Sequence, residues 1–471
     1  MNRHDVAGRI REAYEHATPA SATASRRAAR SLPGGDTRSM TWYPPYPLFL
    51  VQGEGTRVRD ADGHWYEDMI ANYGALAHGH NHPALVAAVT GQMTRGTAPG
   101  GPVPLQYEHA ERLRALNPSL ERLRYCNSGT EATMWAVRTA RAYTGRDLVV
   151  KIDGGYHGTH DWGQVNAFFA PQRTAPARLA GLPEIRPAAG VALSTAGDIV
   201  AIPYNDLPAA ATVLRGLGEQ IAAVVVEPVL GVGGGVPSAP GYLAGLRRLT
   251  REAGALLVFD ECATLRLGPW QVKHGVIPDL TTHSKIVGGG LPLGVFGGRE
   301  DVMALFDPSR PHPVHHAGAF GGNSLSLAAG SAALDHFGTD EIAHLDFLGD
   351  RLRAGLDAAA ASVGVAGRSV GEGGLSYFHF GSTPPRDAAD TARLRAGRAE
   401  LRSLLHLSLL NAGFLTAPHG LLCQHVPTAP ESVDALVDAY GNALHDLRPY
   451  IAVHHPELLE KDAGHVHRDA P

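Results

Sequence analysis

Three short segments of this chain are apolar rather than alternating: Leu148–Ile152, Ile221–Val226 and Ala255–Phe259. A strand with one face in water alternates apolar and polar residues, so these segments must be covered on both faces. Helical patterns lie around them, at 130–143, 241–253 and 323–337. Doubly buried strands separated by helices predict an α/β fold with a mostly parallel sheet between helical layers. In such sheets ligands gather at the carboxyl ends of the strands, so the residues that follow each strand are the first place to look for chemistry.

The rest of the chain reads differently. Residues 1–32 predict a helix and a loose arm, and 47–70 alternate like strands with a turn at Asp60-Ala61-Asp62-Gly63. After about residue 340 the pattern is helical and then mixed, as in a separate α+β lobe. Expected boundaries are 1–90 for the arm and part of a small domain, 91–338 for the large domain, 339–452 for the C-terminal small domain, and 453–471 for a polar, frayed tail. The chain has 471 residues, more than one simple core accommodates. The 56 glycines and 33 prolines concentrate at element ends and read as punctuation.

Composition narrows the function classes. A net charge of −5 gives no electrostatic case for nucleic acid or an anionic membrane. There is no apolar signal-like stretch near residue 1 and no run of about 18 apolar residues, so neither export nor a membrane span is expected. Three cysteines, Cys126, Cys262 and Cys423, are too few for a disulfide framework, which fits a reducing, cytoplasmic setting. The tightest histidine group, His312, His315 and His316, lacks an acidic or cysteine partner, and no metal is expected.

Three motifs carry chemistry. In Asn127-Ser128-Gly129-Thr130-Glu131-Ala132 a capping residue opens a helix that stops at Thr144-Gly145. The backbone N–H groups of Ser128, Gly129 and Thr130 would form a phosphate cradle there; read alone, the segment is equally an ordinary capped helix. The apolar run 256–259 ends in Asp260-Glu261, carboxylates at a strand end, which alone could be turn acids. Ser284-Lys285-Ile286-Val287-Gly288-Gly289-Gly290 sets a lysine before glycines that let backbone approach a bulky group. A partly desolvated lysine amine suits Schiff-base chemistry, and a surface lysine beside a flexible loop is the alternative.

In this order and spacing, the three motifs resemble the class III pyridoxal-phosphate aminotransferases of fold type I, over roughly residues 30–445. The nearest subgroup is similar to glutamate-1-semialdehyde aminomutase and the β-phenylalanine aminotransferases. Leu32–Arg38 (LPGGDTR), Gly79–Pro83 (GHNHP), Gly154–Gly158 (GGYHG), Val224–Pro228 (VVVEP) and His316–Gly330 match as well. The resemblance implies a large domain with a seven-stranded, mostly parallel sheet plus a smaller α+β domain. It implies pyridoxal 5′-phosphate on Lys285, Asp260 at the ring nitrogen, Tyr156 stacked on the ring, and Ser128, Gly129, Thr130, His157, Glu227 and Cys262 around the cofactor. It further implies a homodimer with Ala319 of one subunit facing the other's phosphate, and substrate contacts from Arg38, Tyr73 and His419.

Four departures from the family pattern stand out. Gly318-Ala319-Phe320 replaces Gly-Thr-Phe and loses a hydroxyl. Val232 and Ala263 stand where relatives supply an Asn or Gln to the cofactor's phenolic oxygen. His419 replaces a carboxylate-binding arginine, and its anion binding is expected to vary with pH between about 5 and 8. Cys262 replaces a branched aliphatic. The reading is an amino-group transfer between an amino acid, β- or aromatic, and a 2-oxo acid. The alternatives are an intramolecular aminomutase, a racemase, decarboxylase or lyase, or a non-catalytic cofactor-binding protein.

Overall fold

A computed structural model describes residues 6–168 and 173–459. The apolar segments form strands Leu148–Ile152, Ile221–Val226 and Leu256–Asp260, the last one residue later than the periodicity predicts. They belong to a seven-stranded sheet with the order Arg122–Cys126, Gly294–Gly298, Leu280–His283, Leu256–Asp260, Ile221–Val226, Leu148–Ile152, Ile199–Ile202. Only Gly294–Gly298 runs antiparallel to its neighbours. Every residue of the three central strands Ile221–Val226, Leu256–Asp260 and Leu280–His283 is buried, the first two as their apolar composition requires.

The helix Gly129–Thr144 begins at Ser128, whose Oγ accepts the Glu131 N–H at 3.1 Å, while Glu131 Oε2 accepts the Asn127 N–H at 2.8 Å. It ends on Gly145, left-handed at φ 68°. Helices Tyr242–Ala253 and Ser324–Asp335 occupy the other two predicted stretches. The leading residues form two helices, Val6–Ala17 and Pro19–Ala28, rather than one helix and a loose arm.

The smaller layers join both ends of the chain. Leu50–Glu54, Arg57–Asp60 and Trp65–Asp68 form an antiparallel meander, and Phe414–Leu415 pairs in parallel with Trp65–Asp68. A second sheet holds Gly367–Glu372, Leu375–Phe380 and Leu421–Cys423. Helices Thr339–Ser362, Ala399–Asn411 and Pro430–His454 pack Leu348, Leu352, Leu404, Leu436 and Leu444 into one core. Fraying does not begin at 453: Leu458 is 2% exposed and its carbonyl accepts the Ala366 N–H, because apolar Leu458 and Leu459 close this core. Residues 460–471 of the expected tail lie outside the described residues. No helix among the described residues is long and apolar enough to cross a membrane.

Candidate active site

The parallel strands bring the three motifs together. Asn127-Ser128 follows Cys126, Tyr156-His157 follows Ile152, Glu227 follows Val226, Asp260 ends its own strand, and Lys285 follows His283. Segments up to about 160 residues apart thus open on one sheet edge, where an α/β fold presents ligands.

Asp260 is the fixed point. Its Oδ2 lies 2.8 Å from His157 Nδ1, and its Oδ1 accepts the Thr282 hydroxyl at 3.0 Å and the Cys262 N–H at 3.2 Å. Burial acts to raise its pKa, but His157 and the Cys262 donors win and hold it below the ordinary carboxylate range. His157 therefore stands behind Asp260 as a buried positioning residue. Thr282 does the same from the neighbouring strand; its place at a strand end, three residues before Lys285, was the available signal for it. Glu261 points the other way, where its Oε1 accepts from Gln271 Nε2 at 2.8 Å.

Glu227 is buried and accepts the N–H groups of Tyr156 at 2.8 Å and Gly231 at 3.2 Å. Burial, with Asp260 nearby, pushes its carboxyl up to about 8. It holds the Tyr156 loop in place. Lys285 is half-buried in the left-handed region at φ 61°, a conformation costing about 1–3 kcal/mol for a non-glycine residue. Its amine has no hydrogen bond or ion pair among the described residues. Two other lysines are committed elsewhere: Lys151 Nζ donates to the Gly163 and Val165 carbonyls, and Lys273 pairs with Glu372.

The glycines after Lys285 serve a different purpose from the expected one. A Cβ on Gly289 would lie 2.4 Å from the Ala329 carbonyl, and Gly330 meets the Val287 carbonyl in return. Gly289 lets the lysine turn seat against helix Ser324–Asp335, while Gly288 meets Leu293 and Gly290 meets Leu76. Close approach does occur at Gly129, where a Cβ would meet Cys262 Sγ at 3.0 Å and Ser284 Cβ at 3.3 Å. Cys262 thus borders the cradle, and burial pushes its thiol well above its ordinary range. The first N–H groups of the Gly129–Thr144 helix have no intrahelical partner, and the Thr130 hydroxyl accepts the Thr159 N–H at 3.3 Å. A cradle of free N–H groups, an ionised strand-end carboxylate and an unpartnered lysine amine fit pyridoxal phosphate.

The substrate-side candidates lie farther out. Ala71, Asn72 and Tyr73 are all left-handed, with φ between 45° and 57°. This turn presents the Asn72 side-chain oxygen Oδ1 to Arg38, which donates to it at 2.9 Å, and the Tyr73 hydroxyl, which donates to the Met40 backbone carbonyl at 3.0 Å. Arg38 is exposed, 6.0 Å from the Tyr73 ring centroid. His419 stacks on Tyr73 at 5.8 Å. Its expected titration between pH 5 and 8 is corrected: burial, with Arg395 and Arg402 nearby, brings His419 down to about 3. Ala319 and Phe320 lie on an exposed turn.

Among the described residues one group has metal-ligand spacing, Asp68, His80 and His425, which the sequence scan could not join. Asp68 Oδ2 sits 2.9 Å from His80 Nε2, Oδ1 accepts the Ile70 and Ala71 N–H groups, and His425 Nδ1 donates to the Leu76 carbonyl. These bonds brace both ends of the strained Ala71–Tyr73 turn.

The comparisons agree with this geometry. Residues 39–395 match the model of the family described as aminotransferase class-III. The chain is 39% identical over 432 residues to a β-phenylalanine transaminase of Variovorax paradoxus, covering 91% of this chain and 93% of the relative. It is 40% identical over 406 residues to a glutamate-1-semialdehyde 2,1-aminomutase of Sorangium cellulosum, covering 85% and 90%. A solved transaminase with PLP bound superimposes with a TM-score of 0.83 at 31% identity, over 93% of this chain and 99% of the other. The chain belongs to the class-III aminotransferases, enzymes of fold type I whose cofactor is pyridoxal 5′-phosphate.

Proposed function

We propose that the chain transfers an amino group between a β- or aromatic amino acid and a 2-oxo acid in two half-reactions, with ping-pong kinetics. The observation that carries this reading is the unpartnered Lys285 amine at the sheet edge that also bears Asp260. It lies close enough to Glu227 and Cys262 for its charge to favour the ionised form of each. The likeness to a β-phenylalanine transaminase supports the substrate class.

Pyridoxal phosphate, when bound, supplies the electron sink that makes the carbon–hydrogen bond beside the amine acidic. The chain's own residues do the rest. The N–H groups of Gly129 and Thr130, at the positive end of their helix, hold the phosphate. Asp260, kept ionised by His157, Thr282 and Cys262, holds a proton on the ring nitrogen. Tyr156, fixed through Glu227, and Cys262 would hold the cofactor ring between them. Lys285 Nζ would take the proton from the amine-bearing carbon as a general base and, as a general acid, deliver it to the cofactor side rather than back to that carbon. Arg38 and Tyr73 orient the substrate carboxylate. Ala319 of a second subunit would complete the phosphate site through its backbone, making the working unit a homodimer.

The test is a half-reaction screen. Cofactor-loaded enzyme is mixed with α- and β-amino acids, and conversion to the amine form of the cofactor is followed by absorbance. A β- or aromatic amino acid should convert it, and an added 2-oxo acid should restore it with release of a new amino acid. The aminomutase relative favours one second reading. In that case product forms with no external oxo acid.

A further inference from the structure

Arg395 closes helix Ala388–Arg395, and Arg402 lies in the first turn of helix Ala399–Asn411. Both line a cavity of about 470 Å³, together with His419 and the arm residues Ser39, Met40 and Trp42. Their neighbours in sequence are neutralised: Arg393 pairs with Asp390, and Arg398 reaches Glu457 at 3.0 Å. Arg395 and Arg402 have no carboxylate within ion-pairing distance among the described residues. Arg395 instead sits 4.8 Å from the Phe168 ring centroid and 5.8 Å from that of Tyr377. Arg402 Nε is buried without a hydrogen-bond partner.

Each guanidinium carries five donors and does not shed its charge at physiological pH. Two of them, neighbours and partly withdrawn from water, repel each other and leave donors unsatisfied. Aromatic faces offset only part of that cost. Such a pair is suited to receive an anion, and a planar fork fits a carboxylate in two-point contact. The cavity also adjoins the substrate-side candidates. His419, on its wall, stacks on Tyr73 and meets Tyr377 edge-on at 5.9 Å. Phe168 lies against Gly154, in the loop that carries Tyr156. Pro418 is shared with the neighbouring cavity lined by Arg38 and Tyr73.

We infer that Arg395 and Arg402 together form a carboxylate subsite, which gives the enzyme a dicarboxylic acid as one of its two substrates. The inference rests on the transferase reading for its biological use. The pair supplies from helix ends the positive charge that the neutral His419 does not.

The probe is glutarate, a dicarboxylate with neither amine nor ketone, compared with butyrate, which keeps the carbon chain and one carboxylate. Binding to the cofactor-loaded enzyme is measured by calorimetry. Glutarate should bind at least tenfold tighter than butyrate. Arg402→Gln should remove that preference, and Arg402→Lys, which keeps the charge, should retain part of it with an unchanged melting temperature. Equal affinity for the two acids in the unaltered enzyme would overturn the subsite, as would an Arg402→Gln loss of the same size for both. Glutarate cannot react, so the two readings fail separately. Preference without amino transfer would sink the transferase reading alone, and transfer without preference would sink the subsite alone.

Discussion

The two sides of the active site are built in opposite ways. On the cofactor side every candidate but Ala319 lies at or after the carboxyl end of a strand in one sheet, and Asp260 is held by three donors from three separate segments. On the substrate side the walls come from the arm at 36–42, the left-handed Ala71–Tyr73 turn, Phe168 and two helix ends, and Arg38 is exposed with one side-chain acceptor. A rigid edge holds the group that does the chemistry, while looser segments choose what reaches it. Substitutions on the first side should therefore cost rate for every substrate, and those on the second should sort substrates.

The sharpest break would come at Lys285. Lys285→Ala should lower turnover by about 10²–10⁴-fold or more for all amines, the range for losing a positioned acid–base. Borohydride reduction and peptide mapping should place the cofactor on Lys285. A label on Lys151, or on Lys273, would sink the assignment. Next in size is the second subunit: Phe320, 64% exposed, lies beside Ala319 on the outward turn. Phe320→Glu should give a folded monomer in sedimentation with little activity, whereas an active monomer would break the dimer reading.

Asp260→Asn should cost about 10²–10³-fold in kcat, as for loss of a preorganised electrostatic partner. Its support is tested separately. In the folded enzyme Asp260 is held below its ordinary pKa, so its contribution is present above that range and is lost as pH falls through the lowered value. His157→Phe removes the first of the interactions that lower it and should move the acid limb of the rate profile upward. A limb that stays in place would leave His157 a packing residue. Arg38→Ala should cost about 1.5–3 kcal/mol for carboxylate-bearing substrates, one charged hydrogen bond, and far less for simple amines. Equal losses for both would make Arg38 a support for the arm.

The same division sets what could be read from sequence. Ser128, Asp260 and Lys285 were legible because each lies in a contiguous motif where a strand gives way to a turn. The sheet was legible because Ile221–Val226 and Ala255–Phe259 are apolar on both faces. Thr282 was missed because its one signal, a hydroxyl near a strand end three residues before Lys285, is weak by itself. The glycines after Lys285 predict close backbone approach to a bulky group, but the sequence does not say that helix Ser324–Asp335 comes back against Gly289. Arg395 and Arg402 fall in a stretch without a motif, and only the packing of two helix ends against an arm more than 350 residues earlier brings them to a cavity. The Asp68–His80–His425 group likewise joins positions that no local spacing connects.

The smallest effect is expected at His419, and it divides the substrate side most finely. An exposed histidine would gain charge as pH falls from 8 to 5 and bind an anion better. His419 is enclosed between Tyr73, Tyr377 and the two arginines, and burial holds it near 3, so it stays neutral across that whole range. Because its folded value is depressed, the neutral form is the one the fold favours, and the fold loses that preference only when acid forces a charge into the cavity. His419→Ala should therefore weaken binding of a carboxylate substrate by less than Arg38→Ala does, through lost ring stacking on Tyr73. The ratio of mutant to unaltered affinity should be flat from pH 5 to 8. A ratio that changes severalfold toward pH 5 would mean that an anion in this cavity raises the histidine's pKa. The ring would then act as a third cation beside Arg395 and Arg402 rather than as a spacer between them and Tyr73.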